Sequence, residues 1–377
     1  MIKSYKIRIY PTKEQEASMW QHIGSCRFIW NYMLALQQRL YEEGKKHLSA
    51  FDMINLLKPL KNDGEHEWLS KVSSRTQQRV CQDLALAYDR FFKKTSGFPK
   101  FKSRKRSKPN YPIRETLWFS ERQVAIEKIG KAKYKTDFTL PLGRGHKFSN
   151  PRISYVNGKW MLSFGIECEN QAPTLTDKSM GIDLGVKDLA IAEYNGERIV
   201  FTNINKSHKM RQLNRNQKRL QRSISRKYEA NRRGNSYVKT RNIERCEDKL
   251  RKLYARITNI RMNYIHQCTH KLVSLLPQRI VMEDLNVQGM MKNKHLSKAV
   301  QEQCFYEFRR QMQYKCEWNG IELVLADRFY PSSKTCSCCG NVKHDLKLSD
   351  RVYKCDVCGA VIDRDYNAAI NLSRYVA

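Results

Sequence analysis

The sequence predicts a multidomain α+β chain. A small β-barrel is interrupted by a helical unit, and an α/β region carrying a four-cysteine zinc ribbon follows. Three observations carry this reading. Period-two alternation of apolar residues opens the chain and resumes only from about residue 111, with helical periodicity between. From residue 180, short apolar strands are interleaved with long helical stretches. Near the C-terminus stand two CxxC knuckles, Cys336-x2-Cys339 and Cys355-x2-Cys358. A length of 377 residues suits two or three domains.

SYKIRIYP alternates basic and apolar residues, which predicts a half-buried strand ended by Pro11; residues 1–11 form the first part of the barrel. Thr12 and Gln15 make a capping box, and Met19, Trp20, Ile23, Ile29, Trp30 and Met33 follow at helical spacing. Ser74-Arg-Thr-Gln77 reads as a second capping box, opening a helix with Val80, Leu84, Tyr88 and Phe91 on one face. Residues 12–95 are therefore a helical unit. Residues 96–172 hold a basic loop, SGFPKFKSRKRSKPN (96–110), and then the rest of the barrel. Its strands include FTLPL (138–142), PRISYV (151–156) and WMLSFGIECE (160–169), with a hairpin turn at NGK (157–159).

Residues 173–328 form an α/β core. MGIDLGVKDLAIAEYNGERIVFTN gives three strands with a hairpin at Asn195-Gly196, and residues 206–275 give a basic helix pair. QRIVMEDLNV supplies a buried strand, residues 297–317 an amphipathic helix, and IELVLADRFYPSSKT a last strand leading into the cysteines. Residues 329–360 are the ribbon, and 361–377 a final motif and helix.

Charge sets the functional class. Seventy Lys+Arg stand against 37 Asp+Glu, a net +33. Such a surface calls for a polyanion and predicts salt-dependent binding of nucleic acid, DNA or RNA alike. A solubility surface is the bland alternative. No run approaches the roughly 18 apolar residues that span a bilayer, and the start lacks an apolar export segment. The expected location is the cytoplasm, in association with the nucleoid. Eight of the twelve cysteines show no pairing pattern and suit a reduced core.

The four knuckle cysteines place four thiolates around one tetrahedral ion, and their softness suits Zn²⁺. Filling every coordination position makes that zinc structural. Cys338 breaks the spacer and is spare; His344 is not needed. Carboxylates supply the other chemistry. Asp183 lies mid-strand in G-I-D-L-G, Glu283 ends the buried strand, and Asp363 and Asp365 precede a helix-forming run. A buried charge needs a partner or a cation. Singly, each has a bland reading as a cap or edge charge. Together they suit Mg²⁺ or Mn²⁺, and two such ions would serve phosphodiester hydrolysis. Gln77 and Gln78, opening the second long helix, are candidates to read base edges. Lys100, Lys102 and Lys105 are candidates to hold phosphates, with plain solvation as the rival.

GIDLGVKDLA, IVMEDLNVQGM and SSKTCSCCG…CDVCG…DRDYNAAINL resemble the nuclease motifs and zinc ribbon of the TnpB family, insertion-sequence proteins ancestral to type V CRISPR effectors. KSYKIRIYPTKEQ and GFPKFKSRK resemble its N-terminal and basic-loop motifs, so the likeness spans the chain. The resemblance implies a wedge β-barrel with an inserted recognition unit, then a ribonuclease H-like (RuvC-type) nuclease domain. It implies an RNA-guided DNA endonuclease, with guide RNA from its own element and double-stranded target DNA beside a short protein-read motif. It implies Asp183, Glu283 and Asp365 as catalytic ligands of magnesium, with Asp363 as the alternative third acid. It fits a bacterial or archaeal protein acting as a monomer or small oligomer with RNA. A nuclease-inactive RNA-guided repressor and a DNA transposase are the competing readings.

Overall fold

The computed structural model describes residues 1–113, 117–140, 148–169, 173–347 and 349–376. The chain divides into two compact units, Met1–Glu169 and Asn170–Ala377.

In the first unit, strand β1 (Ile2–Tyr10) leads into helices α1 (Lys13–Glu42), α2 (Ala50–Asn55), α3 (Leu57–Lys61) and α4 (Ser74–Phe92). Strands β2 (Asn110–Pro112), β3 (Trp118–Phe119), β4 (Gln123–Ile126), β5 (Gly130–Lys135), β6 (Phe148–Val156) and β7 (Lys159–Glu167) follow. They form one antiparallel sheet in the order β2-β6-β7-β1-β5-β4-β3. β1 pairs along its length with β7, from Ile2↔Glu167 to Ile9↔Trp160, so the helices are an insertion between partner strands. Ile7 and Ile9 of β1 and Met19, Ile29 and Met33 of α1 share one core with Leu84 of α4 and Ile153, Leu162 and Ile166 of the sheet. The Thr12 capping box is present, and the NGK turn takes the positive φ angles of a primed hairpin, Asn157 at +52° and Gly158 at +79°.

Three expectations need correction here. Among the described residues no pairing joins β2 to β3, so the described strands form an open sheet rather than a closed barrel; these end strands span three and two residues. In FTLPL, residues 138–140 form a bend and an irregular stretch, while 141–142 lie outside the described residues. Helix α4 is capped by Ser73, whose Oγ accepts from Thr76 N, not by Ser74. Gln77 therefore closes no box. Its Nε2 turns inward to the carbonyls of Leu69 (2.6 Å) and Val72 (3.3 Å).

The second unit begins with β8 (Ser179–Leu184), β9 (Asp188–Tyr194) and β10 (Glu197–Thr202). Next come α5 (His208–Ala230), a short hairpin of β11 (Arg232–Arg233) and β12 (Ser236–Tyr237), and α6 (Arg241–Val273). β13 (Arg279–Glu283), α7 (Val287–Lys292), α8 (Ser297–Gln303), α9 (Phe305–Asn319) and β14 (Glu322–Ala326) follow. β15 (Val352–Lys354), β16 (Val361–Asp363) and α10 (Arg364–Ser373) close the chain. The sheet order is β10-β9-β8-β13-β14. β8, β13 and β14 are parallel, while β9 and β10 extend the sheet antiparallel.

Period-two alternation splits this sheet into two buried faces. Met180, Ile182, Ile280 and Met282 pack with Ile265, Cys268 and Leu272 of α6 and Phe308 and Met312 of α9. Val281 and Ala326, on the other face, pack with Leu372 of α10. One apolar stretch departs from the expectation. The predicted helix over 297–317 is two helices, broken at Cys304, whose φ is +56°.

Candidate active site and metal centre

β8 and β13 run parallel in register, Ile182 opposite Met282, so the next residues along each strand are Asp183 and Glu283. Alternation turns both away from Ile182 and Met282, toward the face that α10 covers. Gly181 explains how closely the helix lies. A Cβ there would stand 2.0 Å from Ala369 O and 2.3 Å from Ser373 N. One helical turn before Ala369 is Asp365, on the same face of α10. One strand period past Gly181 is Asp183. The close approach puts Asp365 near enough to act on the charge of Asp183, without drawing the three acids into a group within 4.8 Å, and all three carboxylates are half-buried.

Burial acts first on Asp183 and Glu283, and the neighbouring acids add to it. The Asp183 carboxyl is pushed well above the ordinary carboxylate range, first by burial, then by Glu283 and Asp365 and less by Asp363, against the opposing charge of Arg364. Glu283 is pushed up as well, by burial and Asp365, against a hydrogen bond from Ser332 and the charge of Arg364. A cluster of acids that resists losing its protons in this way is a site prepared for cations.

Asp363 and Asp284 are engaged elsewhere. Asp363 caps α10 by accepting from Tyr366 N at 3.1 Å and pairs with Arg198 of β10 at 3.0 Å. Asp284, next to Glu283, is held by Arg309 (2.7 Å) and Arg328 (2.6 Å).

The four knuckle cysteines come together as their spacing requires. Their sulfurs all lie within 4.8 Å of one another, Cys336 to Cys358 at 3.6 Å and Cys339 to Cys355 at 3.5 Å. Zinc–sulfur bonds of about 2.3 Å in a tetrahedron put sulfurs about 3.8 Å apart, so the set fits Zn²⁺. Backbone N–H groups of Cys358 and Val357 help lower the Cys355 thiol to about 6, while crowding among the sulfurs pushes Cys339 and Cys358 up in the metal-free cluster. Among the described residues, no other group of three or more such ligands draws within 4.8 Å. Cys338 and His344 are outside the cluster, Cys338 fully exposed and His344 near the ribbon surface.

The two centres are stitched together mostly by residues of the quoted motifs that are neither acids nor cysteines. Ser332, buried, donates from Oγ to Glu283 Oε1 at 2.5 Å, and its carbonyl accepts from Asn371 Nδ2 at 2.7 Å. Asn371 Nδ2 also reaches Thr335 O at 2.7 Å. Asn367 Nδ2 donates to Thr335 O at 2.7 Å and its Oδ1 accepts from Ser337 N at 3.0 Å. Arg374 donates to Ser337 O at 2.5 Å. The i,i+4 spacing of the two asparagines, poor helix formers that would be wasted on a solvent face, is the signal in the sequence that could have found them.

The proposed nucleic-acid residues divide. Lys100 and Lys105 are exposed. Lys102 is half-buried, with Nζ 3.4 Å from the centre of the Trp30 ring, and burial lowers its ammonium to about 8. Asn31 exchanges hydrogen bonds with its backbone at 2.8 Å in each direction. It therefore fastens the basic loop to α1 and is poorly placed for a phosphate. Gln77 is fully buried with its Nε2 on backbone carbonyls, so it cannot read a base; Gln78 is half-buried. A groove along α5, missed at single-residue level, is lined by Arg215, Lys218, Arg219, Arg222, Arg226 and Lys227.

Residues 1–46 match the helix-turn-helix domain model HTH_OrfB_IS605, residues 163–294 the model OrfB_IS605, described as a probable transposase, and residues 305–372 the Cas12f1-like TNB domain. A Streptomyces pristinaespiralis protein named as a putative RNA-guided DNA endonuclease is 32% identical over 372 residues, covering 98% of this chain and 88% of its own. InsQ of Escherichia coli K12, named likewise, is 31% identical over 391 residues, covering 98% and 91%. A cryo-EM structure of a Cas12f1–sgRNA–target DNA complex matches with a TM-score of 0.57 at 14% identity, over 99% of this chain and 98% of that one. Fold and site together define a mixed α/β protein with the fold of a Cas12-type effector and a four-cysteine ribbon. More specifically, the chain belongs to the TnpB family.

Proposed function

We propose that the chain is an RNA-guided DNA endonuclease that cuts target DNA beside a short motif read by the protein. Its second unit is read as a ribonuclease H-like, RuvC-type nuclease, and its four-cysteine ribbon as a structural zinc site. Asp183, Glu283 and Asp365 would hold Mg²⁺ or Mn²⁺, and Cys336, Cys339, Cys355 and Cys358 would hold Zn²⁺. When bound, paired divalent ions supply Lewis acidity that activates a water and stabilises the departing 3′-oxygen.

The chain's own residues prepare that chemistry. Burial and its acidic neighbours raise the Asp183 carboxyl, so a bound cation would favour the carboxylate that the empty site disfavours. Ser332 fixes the orientation of Glu283. The Asn367 and Asn371 amides hold α10 in register, and with it Asp365. Guide RNA and double-stranded target DNA are the polyanions suited to a net charge of +33, the exposed Lys100 and Lys105, and the α5 groove.

What supports the reading is the electrostatic influence of Glu283 and Asp365 on Asp183, three half-buried carboxylates on adjacent strand ends and a helix start. It occurs in a family whose relatives are named as RNA-guided DNA endonucleases. An intact triad argues against the repressor alternative. The test is to purify the chain with its co-purifying RNA and assay matched DNA in Mg²⁺. Wild type should cut, and Asp183→Ala should bind matched DNA without cutting. Retained cutting by that variant would sink the assignment.

A further inference from the structure

The turn that follows Asp183 is gripped by side chains from elsewhere in the unit. Gly185, Val186 and Lys187 link β8 to β9, in a turn so tight that a Cβ on Gly185 would meet Asp188 O at 3.1 Å. Gln303 Nε2 donates to Gly185 O at 2.9 Å and to Val186 O at 3.3 Å. Asn203 Nδ2 donates to Val186 O at 2.8 Å, and Lys206 Nζ to Lys187 O at 3.0 Å. Three consecutive carbonyls thus take side-chain donors.

Gln303 is itself locked. It is only 3% exposed. Behind it, Asn205 donates to Glu302 O at 2.9 Å and accepts from Arg261 Nε at 2.7 Å, and Arg261 pairs with Glu302 at 3.2 Å. Gln303 is also the last residue of α8, and the chain takes a left-handed conformation at the very next residue, Cys304. For a residue with a Cβ that conformation is strained. The strain breaks an otherwise amphipathic helix at the point where Gln303 faces the turn.

We propose that Gln303 is a positioning residue for Asp183. By fixing the turn two residues past the carboxylate, it sets where that carboxylate meets a divalent ion. The inference rests on Asp183 being an ion ligand. Simple satisfaction of buried carbonyls is the competing account, and it makes a different prediction about ion affinity. Groups that orient a ligand without touching the ion change metal affinity or activity by about 10- to 100-fold when removed.

The test uses the full chain with its RNA. Gln303→Glu keeps the size and removes both donations; Gln303→Met keeps the bulk without a polar group. Both should bind matched DNA as wild type does and melt within a few degrees of it. Both should need roughly 10-fold more Mg²⁺ for half-maximal cutting, and bind Mn²⁺ correspondingly more weakly by electron paramagnetic resonance on the complex with uncleavable DNA. Wild-type Mg²⁺ dependence and Mn²⁺ affinity in both variants would overturn the proposal. Failure of both to fold would do so too, by making Gln303 a residue of the fold alone. Asp183→Asn separates the two levels. If it leaves cutting and Mn²⁺ binding intact, the reading of the site fails; if it abolishes both while the Gln303 variants match wild type, only the positioning role fails.

Discussion

Gly181 of β8 lies against the backbone of α10 so closely that a single added methyl would stand 2.0 Å from Ala369 O. This approach sets the spacing of the carboxylate cluster, because Asp183 follows Gly181 on the strand and Asp365 precedes Ala369 on the helix. Gly181→Ala must push the helix off the strand. Overpacking of this kind costs about 1–3 kcal/mol. The expected outcome is a lower melting temperature and loss of DNA cutting with RNA still bound. Cutting at the wild-type rate would show that the spacing is not needed.

Protonation of Asp183 gives a pH signature. Its folded-state pKa is raised, so between the ordinary carboxylate range and that raised value the folded chain holds a proton that the unfolded chain has released. In that window, rising pH removes stability from the metal-free protein. Asp183→Asn removes the share of this effect that belongs to Asp183 and leaves that of Glu283. In a chelator at neutral pH the variant should melt above wild type, by on the order of 2 °C or more, and the gap should close as pH falls toward about 4. Added Mg²⁺ should raise wild type and not the variant. A gap independent of pH would mean that the aspartate is ionised in the empty site.

Asp363 and Asp365 separate cleanly. Asp363→Asn keeps an effective helix cap, and should leave cutting within about threefold of wild type. Asp363→Ala should cost about 1 kcal/mol through removal of the cap, and it breaks the Arg198 pair as well. Asp365→Asn should abolish cutting while leaving RNA and DNA binding unchanged. Single-turnover cleavage of matched DNA measures all three, and the reverse pattern would move the third ligand to Asp363.

Local pattern made much of this molecule readable before its structure. The β1 alternation, the Thr12 cap, the Asn157-Gly158 turn and the four cysteines each carry their own short-range signal. Asp183 and Glu283 were visible because a carboxylate in a buried strand is costly wherever the strand lies. What stayed hidden depends on partners distant in sequence. Gln77 looked like a base reader at a helix start until Leu69 and Val72 claimed its amide. Lys102 looked like its exposed neighbours, but Trp30 lies beneath its ammonium. The break at Cys304 has no local cause in an amphipathic stretch; it coincides with the reach of Gln303 to a turn more than a hundred residues earlier.

The division among the lysines is measurable. Neutralising Lys100 and Lys105 should flatten the slope of log K against log salt by about 1 for each phosphate that no longer has its cation. Lys102→Met should leave that slope nearly unchanged and instead lower the melting temperature, since it removes a cation–π interaction worth about 0.5–2 kcal/mol. Equal slopes for all three substitutions would place Lys102 on nucleic acid after all.

Zinc and cutting should be separable at the asparagines. Cys336→Ser should lower zinc content, measured by mass spectrometry, from one ion per chain, and should also impair cutting. Asn367 lies outside the sulfur cluster but clasps the segment that leads into it, by Thr335 O and Ser337 N. Asn367→Ala leaves four thiolates intact, so zinc should be retained. The buried Ser337 N–H is then left without this partner, at a cost of about 1–3 kcal/mol, while Thr335 O keeps Asn371, and α10 loses part of its hold on the ribbon. Cutting should then fall at least tenfold with zinc still bound, and the shortfall should appear as a raised Mg²⁺ requirement because Asp365 rides on that helix. If zinc and cutting decline in the same proportion in Asn367→Ala, the asparagine serves the ribbon's fold and not the placement of the carboxylate.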